Sequence, residues 1–173
     1  RVDAELRAEV ADGLALLREG IQPHIRDDDP DDATTRSHVE TASGTVATLT
    51  DRFDDRREDY VDATDERAVE LARHHVRVLE DAVDLARVAR ENGQGVAYGD
   101  RRDAAMAQTV EWLLEFEPHD SVAVVAANGH LRTGDDHHED ADAHDGPLGY
   151  HLDRTFGDDH RVLAVEFGTG SVR

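Results

Sequence analysis

A long helical pattern runs without interruption from Thr64 to Asn92. Its apolar side chains recur every three or four residues and form two adjacent stripes, one starting at Val69 and the other at Ala68. A helix that is apolar over so wide an arc has to be covered by neighbours on two sides. The pattern therefore predicts a helix of roughly 40 Å, with Thr64 as N-cap and Gly93 as its stop, packed among other helices.

Helical spacing also fills most of the remaining first half of the chain. It predicts one helix over residues 3–18 and a second that begins at a capping box, Ser37 with Glu40, and ends in the charged run 51–59. Residues 27–32 read Asp-Asp-Asp-Pro-Asp-Asp and predict a solvated linker, because none of them can be buried. Residues 1–95 are therefore expected to be a helical segment.

The pattern changes in residues 96–173, which we expect to form an α/β segment. Two helices, over 102–117 and 147–156, accompany two short apolar runs at 121–126 and 161–167. Such runs are typical of strands buried on both faces, and the order strand, helix, strand predicts a right-handed βαβ unit. The expected fold class is therefore α/β, helix-rich, with a small parallel sheet.

Two parallel strands do not make a stable sheet by themselves. We therefore expect residues 1–173 to be one domain that forms the C-terminal part of a larger α/β domain. The start at Arg1 rather than at a methionine points the same way. The other strands would come from a missing N-terminal half or from a second copy of the chain, by self-association.

The charge balance is extreme, with 40 acidic and 19 basic residues and a formal net charge of −21. Every basic residue is an arginine. Near 1 M salt the Debye length of about 3 Å screens the repulsion, so the composition predicts a halophilic protein. Nucleic acids and anionic membranes are unsuitable partners.

The chain lacks both an apolar span of roughly 18 residues and a signal peptide, so we expect a cytoplasmic location. The absence of cysteine excludes disulfides and thiolate chemistry.

Candidate site residues follow the first apolar run and begin the helix before it. Ligands of open α/β sheets bind beyond the carboxyl ends of the strands, which is where Asn128 and His130 stand. Arg102 and Asp103 begin the preceding helix, where Asp103 complements the helix dipole and Arg102 can hold a carboxylate. The alternatives are a simple turn at Asn128-Gly129 and a solvated surface arginine.

Histidines alternate with acidic residues between His130 and His151. Imidazole and carboxylate together suit zinc and other divalent ions, with His137, His138 and His144 as weak candidate ligands. No pair has the helical spacing of a His-Glu-x-x-His motif. We therefore expect no cofactor, with a divalent metal in this loop as the alternative.

Several stretches of the second half resemble the erythromycin esterase family. They are Arg102-Asp-Ala-Ala-Met-Ala107, the run ending in Asn128-Gly-His130, Gly146-Pro-Leu-Gly-Tyr-His-Leu152 and the closing apolar run. In the family, an Arg-Asp-x-x-Met-Ala helix precedes a strand that ends in His-Asn-x-His, and a glycine-leucine helix and another strand follow. The resemblance covers residues 99–170.

This resemblance implies a carboxylic ester hydrolase with a small-molecule ester as its partner. Members of the family cleave esters, the macrolactone of erythromycin being the named case, through histidine-activated water supported by glutamate and arginine. The resemblance implies His130 and Arg102 as catalytic residues. It implies Asp103 and Asn128 as substrate-binding or supporting residues.

The chain departs from the family at three points. Ala127 stands where the strand-end motif has its first histidine, and Thr109 stands where asparagine is usual. The family's Gly-Glu-x-x-His segment with its general base has no counterpart, which predicts weak activity, or none, for this chain alone. Two other hypotheses follow: a divalent-metal-binding module built on residues 130–151, and a non-catalytic remnant that associates through exposed strand edges.

Overall fold

The computed structural model describes residues 3–19, 33–134 and 146–164. Its helices are α1 (Ala4–Glu9), α2 (Ala11–Glu19), α3 (Ala33–Asp55), α4 (Arg57–Ala63), α5 (Glu66–Asn92), α6 (Val96–Phe116), α7 (Asn128–Leu131) and α8 (Leu148–Phe156), followed by a 3-10 turn at Gly157–Asp159. The chain divides into two compact units, an N-terminal unit (Arg1–Tyr98) and a C-terminal unit (Gly99–Arg173). None of the helices described is both long enough and apolar enough to cross a membrane.

The core of the N-terminal unit is built from the apolar stripes of α1, α3 and α5. Its buried members are Leu6, Val10, Val39, Ala42, Val46, Leu49, Val76, Val83 and Ala86. Within each helix these positions are three, four or seven residues apart, so each helix presents one apolar face to the others. Leu17 of α2 and Phe53 of α3 pack against the edge of this core.

The long helix predicted over residues 64–92 is confirmed as α5, with one change at its start. The N-cap is Asp65, whose Oδ1 accepts a hydrogen bond of 2.8 Å from the amide of Ala68, and Thr64 instead ends α4. Gly93 ends the helix as predicted, with φ of 70°, a conformation that glycine adopts without the steric cost of a Cβ.

Only one of the two predicted apolar stripes of α5 is well covered. Val69, Val76 and Val83 are buried, whereas Leu71 and Val78 of the other stripe are exposed. We predicted that neighbours cover this helix on two sides. Among the described residues, only the side with Val69, Val76 and Val83 is well covered.

Two helices begin earlier than predicted. α3 starts at Ala33, so Ser37 lies inside it and its carbonyl accepts a hydrogen bond of 2.8 Å from the Thr41 hydroxyl. α6 starts at Val96, six residues before the predicted start at residue 102. As a result Asp103 lies well inside α6 rather than in its first turn.

The carboxylate of Asp3, with 8% of its side chain exposed, connects α1 to α3 and α4. Its Oδ1 caps α1 by accepting the Leu6 amide at 2.8 Å. Its Oδ2 accepts the Tyr60 hydroxyl at 2.6 Å and lies 3.0 Å from Arg56 Nη1 and 3.4 Å from Arg52 Nη1. The hydrogen bonds from Tyr60 and from the Leu6 amide hold the pKa of Asp3 below its usual value of 3.8. Burial, together with the bond to Asp3, raises the pKa of Tyr60 to about 12.

The predicted parallel sheet is wrong. Residues 121–126 and 161–164 have no regular secondary structure, and Val125 and Leu163 are 97% and 88% exposed. A short apolar run forms a strand only when other strands pair with its backbone, and the described parts of the chain contain no strand. The described fold is all-α, so the predicted α/β class and the predicted βαβ unit are both wrong. Residues 165–167 of the second apolar run lie outside the described residues.

The core of the C-terminal unit is small. Ala107 of α6 packs with Leu148 and Leu152 of α8, and the partly buried side chains around them are Val110, Val124, Leu131 and Phe156. α8 matches the helix predicted over residues 147–156, with Pro147 as its N-cap residue. This core brings the middle of α6 and the first turn of α8 together.

Candidate active site

Three of the predicted site residues meet in the C-terminal unit. Arg102 and Asp103 lie on α6 and His130 lies on the short helix α7. His130 Nδ1 is 2.7 Å from Asp103 Oδ2, and Arg102 Nη2 is 3.1 Å from His130 Nε2. We call this group the Arg102–Asp103–His130 cluster.

Asp103 is buried, with 4% of its surface exposed, because it lies on the face of α6 that also carries Ala107 and Val110. A buried carboxylate is costly unless it is paired and hydrogen-bonded. Its Oδ2 accepts hydrogen bonds from His130 and from the Leu148 amide, the latter at 3.1 Å. Its Oδ1 lies 3.3 Å from Arg102 Nε. The negative charge is therefore held by an imidazole, a main-chain amide and a guanidinium.

The bond to Asp103 decides which nitrogen of His130 is basic. An ionised carboxylate only accepts hydrogen bonds, so Nδ1 carries the hydrogen and Nε2 carries the lone pair. The carboxylate side chain is 5% exposed and the imidazole 34% exposed, so the ring lies between a buried anion and solvent. This arrangement suits a histidine that exchanges a proton at Nε2.

Arg102 contacts both ring nitrogens of His130. Its Nη2 is 3.1 Å from Nε2 and 3.4 Å from Nδ1 of His130. If Nη2 lay on the outward axis of the Nε2 lone pair, its distance to Nδ1 would be much the longer of the two. The near-equal distances place it over the ring, a contact typical of arginine. The guanidinium therefore lies beside the imidazole, which is 34% exposed.

Asn128 and Ala127 lie beside the cluster, at the start of α7. Asn128 is the first residue of this helix and is exposed, and Ala127 is its N-cap. The amide of His130 donates to the Ala127 carbonyl at 2.9 Å, which closes the turn that presents the imidazole. Thr109, the other departure from the family motif, donates its hydroxyl to the Ala105 carbonyl of its own helix at 3.1 Å.

The candidate metal ligands His137, His138 and His144 lie outside the described residues, so a metal in that loop stays a prediction. Within the ranges that the structure describes, no three histidine, aspartate or glutamate side chains are grouped so as to hold a metal ion.

Two features of the cluster were missed by the sequence analysis. The burial of Asp103 had a signal, because it precedes Ala107 and Val110 by four and seven residues on one helix face. The Leu148 amide had no side-chain signal at all, since any residue type supplies the same donor. It is one of the amides in the first turn of α8 that lack a partner within the helix, and Asp103 provides one.

A cavity of about 340 Å³ lies in the N-terminal unit, and its described lining includes none of the three residues of the cluster. Leu6, Val10, Phe53 and Val69 contribute to its mainly apolar wall, with Asp3 at its edge. Its described lining contains no histidine. We therefore place the candidate chemistry at the Arg102–Asp103–His130 cluster.

Comparison with known proteins gives one family. The model of the erythromycin esterase family matches residues 1–173, which is the whole chain and includes the helices before residue 99 that carry no motif. No curated protein and no solved structure matches the chain. The chain therefore belongs to the erythromycin esterase family.

Proposed function

We propose that the protein hydrolyses carboxylic esters of small molecules with water activated by His130. The single observation that carries the proposal is the 2.7 Å contact between the part-exposed imidazole of His130 and the buried carboxylate of Asp103. Membership of the erythromycin esterase family supports the reaction class. A net charge of −21 supports a small-molecule substrate over a nucleic acid.

In the proposed reaction His130 acts first as a base. Nε2 takes a proton from water as the water oxygen attacks the ester carbonyl, and a tetrahedral intermediate forms. The intermediate then collapses, the carbon–alkoxide bond breaks, and the proton on Nε2 passes to the departing alkoxide. The products are a carboxylic acid and an alcohol, and His130 returns to its neutral form.

Asp103 and Arg102 have opposite electrostatic tasks in this scheme. Asp103 holds the ring by Nδ1 and stabilises the imidazolium that forms when Nε2 is protonated, as the aspartate of a catalytic triad does. The guanidinium of Arg102 lies beside the ring, where it stabilises the oxyanion of the tetrahedral intermediate. Its contact with Asp103 Oδ1 keeps it next to the ring.

The test is hydrolysis of ethyl butyrate, followed by proton release, in about 2 M NaCl, where the Debye length is only a few ångström. An unactivated ester is needed because exposed imidazoles hydrolyse nitrophenyl esters without an active site, and the chain has 11 histidines. His130→Gln should lower kcat by about 10² to 10⁴-fold, the usual contribution of general acid–base catalysis.

The matched control is His75→Gln, which removes an exposed imidazole from α5 in the N-terminal unit. It should leave ester hydrolysis unchanged. If His130→Gln hydrolyses ethyl butyrate as fast as the unaltered protein, His130 is not the base and the proposal fails.

A further inference from the structure

The first turn of α8 lies directly against the backbone that follows His130. Gly149 is buried there, and a Cβ on it would collide with the Leu131 carbonyl and lie 2.6 Å from the Arg132 carbonyl oxygen. Both obstacles are main-chain groups, which cannot rotate away as a side chain can. Only glycine allows the two segments to approach this closely.

The same turn of α8 also holds the carboxylate of the cluster. The amide of Leu148 donates at 3.1 Å to Oδ2 of Asp103, the oxygen that accepts from His130 Nδ1. The Leu148 side chain is fully buried against Ala107 and Leu152, so the core determines where this amide points. α8 therefore contacts both sides of the Asp103–His130 pair, the carboxylate through residue 148 and the histidine helix through residue 149.

We propose that Gly149 is a positioning residue for His130. Because it has no side chain, α8 can hold Asp103 and pack on the end of α7 at the same time, which fixes the distance between carboxylate and imidazole. Gly149 touches no reacting atom. The kinetic consequence of this inference rests on the proposed ester hydrolysis, whereas the structural coupling does not.

Gly149→Ala should separate α8 from α7 or pull the Leu148 amide away from Asp103. The first measurement is the ¹⁵N and ¹H NMR signals of the His130 ring in the full chain. The unaltered protein should show a slowly exchanging proton on Nδ1, and Gly149→Ala should lose that proton to fast exchange or mixed tautomers. The second measurement is ethyl butyrate hydrolysis, in which kcat should fall by about tenfold to a hundredfold with KM little changed, as expected for a misplaced group.

Gly129→Ala is the matched control. Gly129 immediately precedes His130, yet a Cβ there meets nothing within 4 Å and its φ is negative. This variant should keep the ring proton and the kcat. If Gly149→Ala keeps both the Nδ1 proton and the kcat of the unaltered protein, the inference is overturned. If the unaltered protein hydrolyses no ester, the proposed function fails, and the NMR comparison still decides the role of Gly149.

If Gly149→Ala does not fold, the contact between α8 and the carboxylate is tested by changing Asp103 instead. Far-UV circular dichroism shows whether Gly149→Ala is folded. If it is not, Asp103→Asn is used, and hydrogen exchange of the Leu148 amide should accelerate roughly tenfold or more, because a bond to a charged acceptor is lost. Unchanged protection of that amide would show that α8 is not tied to the carboxylate, and the inference would be wrong.

Discussion

Asp3 in the N-terminal unit and Asp103 in the C-terminal unit have carboxylate side chains that are only 8% and 5% exposed, with similar sets of donors. Asp3 accepts a hydrogen bond from the main-chain amide of Leu6, and Asp103 accepts one from that of Leu148. Each carboxylate also has an arginine beside it. They differ in the remaining partner. Asp3 accepts a hydrogen bond from the hydroxyl of Tyr60, which is buried. Asp103 instead accepts one from Nδ1 of the His130 imidazole, which is 34% exposed.

In the proposed function, that difference separates a structural carboxylate from one that takes part in the chemistry. Burial raises the pKa of Tyr60 to about 12, so its proton stays in place at any working pH and the bond to Asp3 serves to hold helices together. The imidazole of His130 is instead part-exposed, while Asp103 Oδ2 lies 2.7 Å from its Nδ1. In the proposed reaction, a similar local construction supports proton transfer in the C-terminal unit, whereas in the N-terminal unit it joins helices.

The largest expected effect comes from Asp103→Asn. An asparagine can present its own N–H to Nδ1 of His130, which would force the hydrogen onto Nε2 and remove the basic lone pair from the exposed side of the ring. Ester hydrolysis should fall by about 10⁴-fold, as when the aspartate of a catalytic triad is replaced by asparagine. The measurement is kcat on ethyl butyrate, with Asp3→Asn as the control that alters the other carboxylate. Equal losses in the two variants would abolish the distinction between them.

Tyr60→Phe should show the structural role of the other carboxylate. It removes the 2.6 Å hydrogen bond to Asp3 but keeps the ring that packs on Phe53. We expect the Tm to fall by about 4 °C, from a hydrogen bond of order 1 kcal/mol in a chain of this size, with ester hydrolysis unchanged. Tyr150→Phe is the control, since it removes a hydroxyl that accepts an exposed hydrogen bond from Arg154. A lower kcat in Tyr60→Phe would connect the N-terminal unit to the chemistry and contradict the comparison.

The helices were predictable because their signal is local. The periodicity of Val69, Val76 and Val83 shows in one stretch of sequence and α5 follows it, and a glycine ends the helix where predicted. The strands were mispredicted because a six-residue apolar run does not by itself determine its conformation. Strand formation depends on distant pairing partners. Val125 has no such partner among the described residues, which contain no strand.

The candidate site was predictable at the level of side chains. The resemblance to the erythromycin esterase family selected Arg102, Asp103 and His130, and the structure brings the three together. Asp103 was interpreted as a first-turn acid because α6 was predicted to begin six residues too late. The amide of Leu148 and the close approach at Gly149 depend on backbone geometry, which no residue-type pattern reports.

The pH dependence of stability offers a smaller test. The folded-state pKa of Asp3 is lowered, mainly by the Tyr60 hydrogen bond. Its contribution is therefore complete above the unfolded value of 3.8, declines as the pH falls and is lost below the folded pKa. Asp3→Asn keeps a good N-cap, so the Tm difference from the unaltered protein should be constant near neutral pH and vanish in acid.

Glu5→Gln is the control for that experiment, because it removes one exposed negative charge from the same helix. Its Tm difference should be small and should lack the acid-dependent loss. A difference for Asp3→Asn that grows as the pH falls below 3.8 would contradict a lowered pKa.

The smallest effects compare the stability of the two units directly. Gly44 in α3 and Gly99 in α6 lie within helices, and a Cβ on either meets nothing within 4 Å. Replacing each by alanine should stabilise its helix by about 0.5 to 1 kcal/mol, since alanine loses less backbone entropy on folding. If the units unfold separately, differential scanning calorimetry should show that Gly44→Ala shifts one transition and Gly99→Ala the other. A single cooperative transition would instead move to a higher temperature in both variants.

The cluster belongs to the C-terminal unit. When the transitions are separate, ester hydrolysis should therefore persist to a higher temperature in Gly99→Ala than in Gly44→Ala. The opposite order would mean that the cluster depends on the N-terminal unit for its folding.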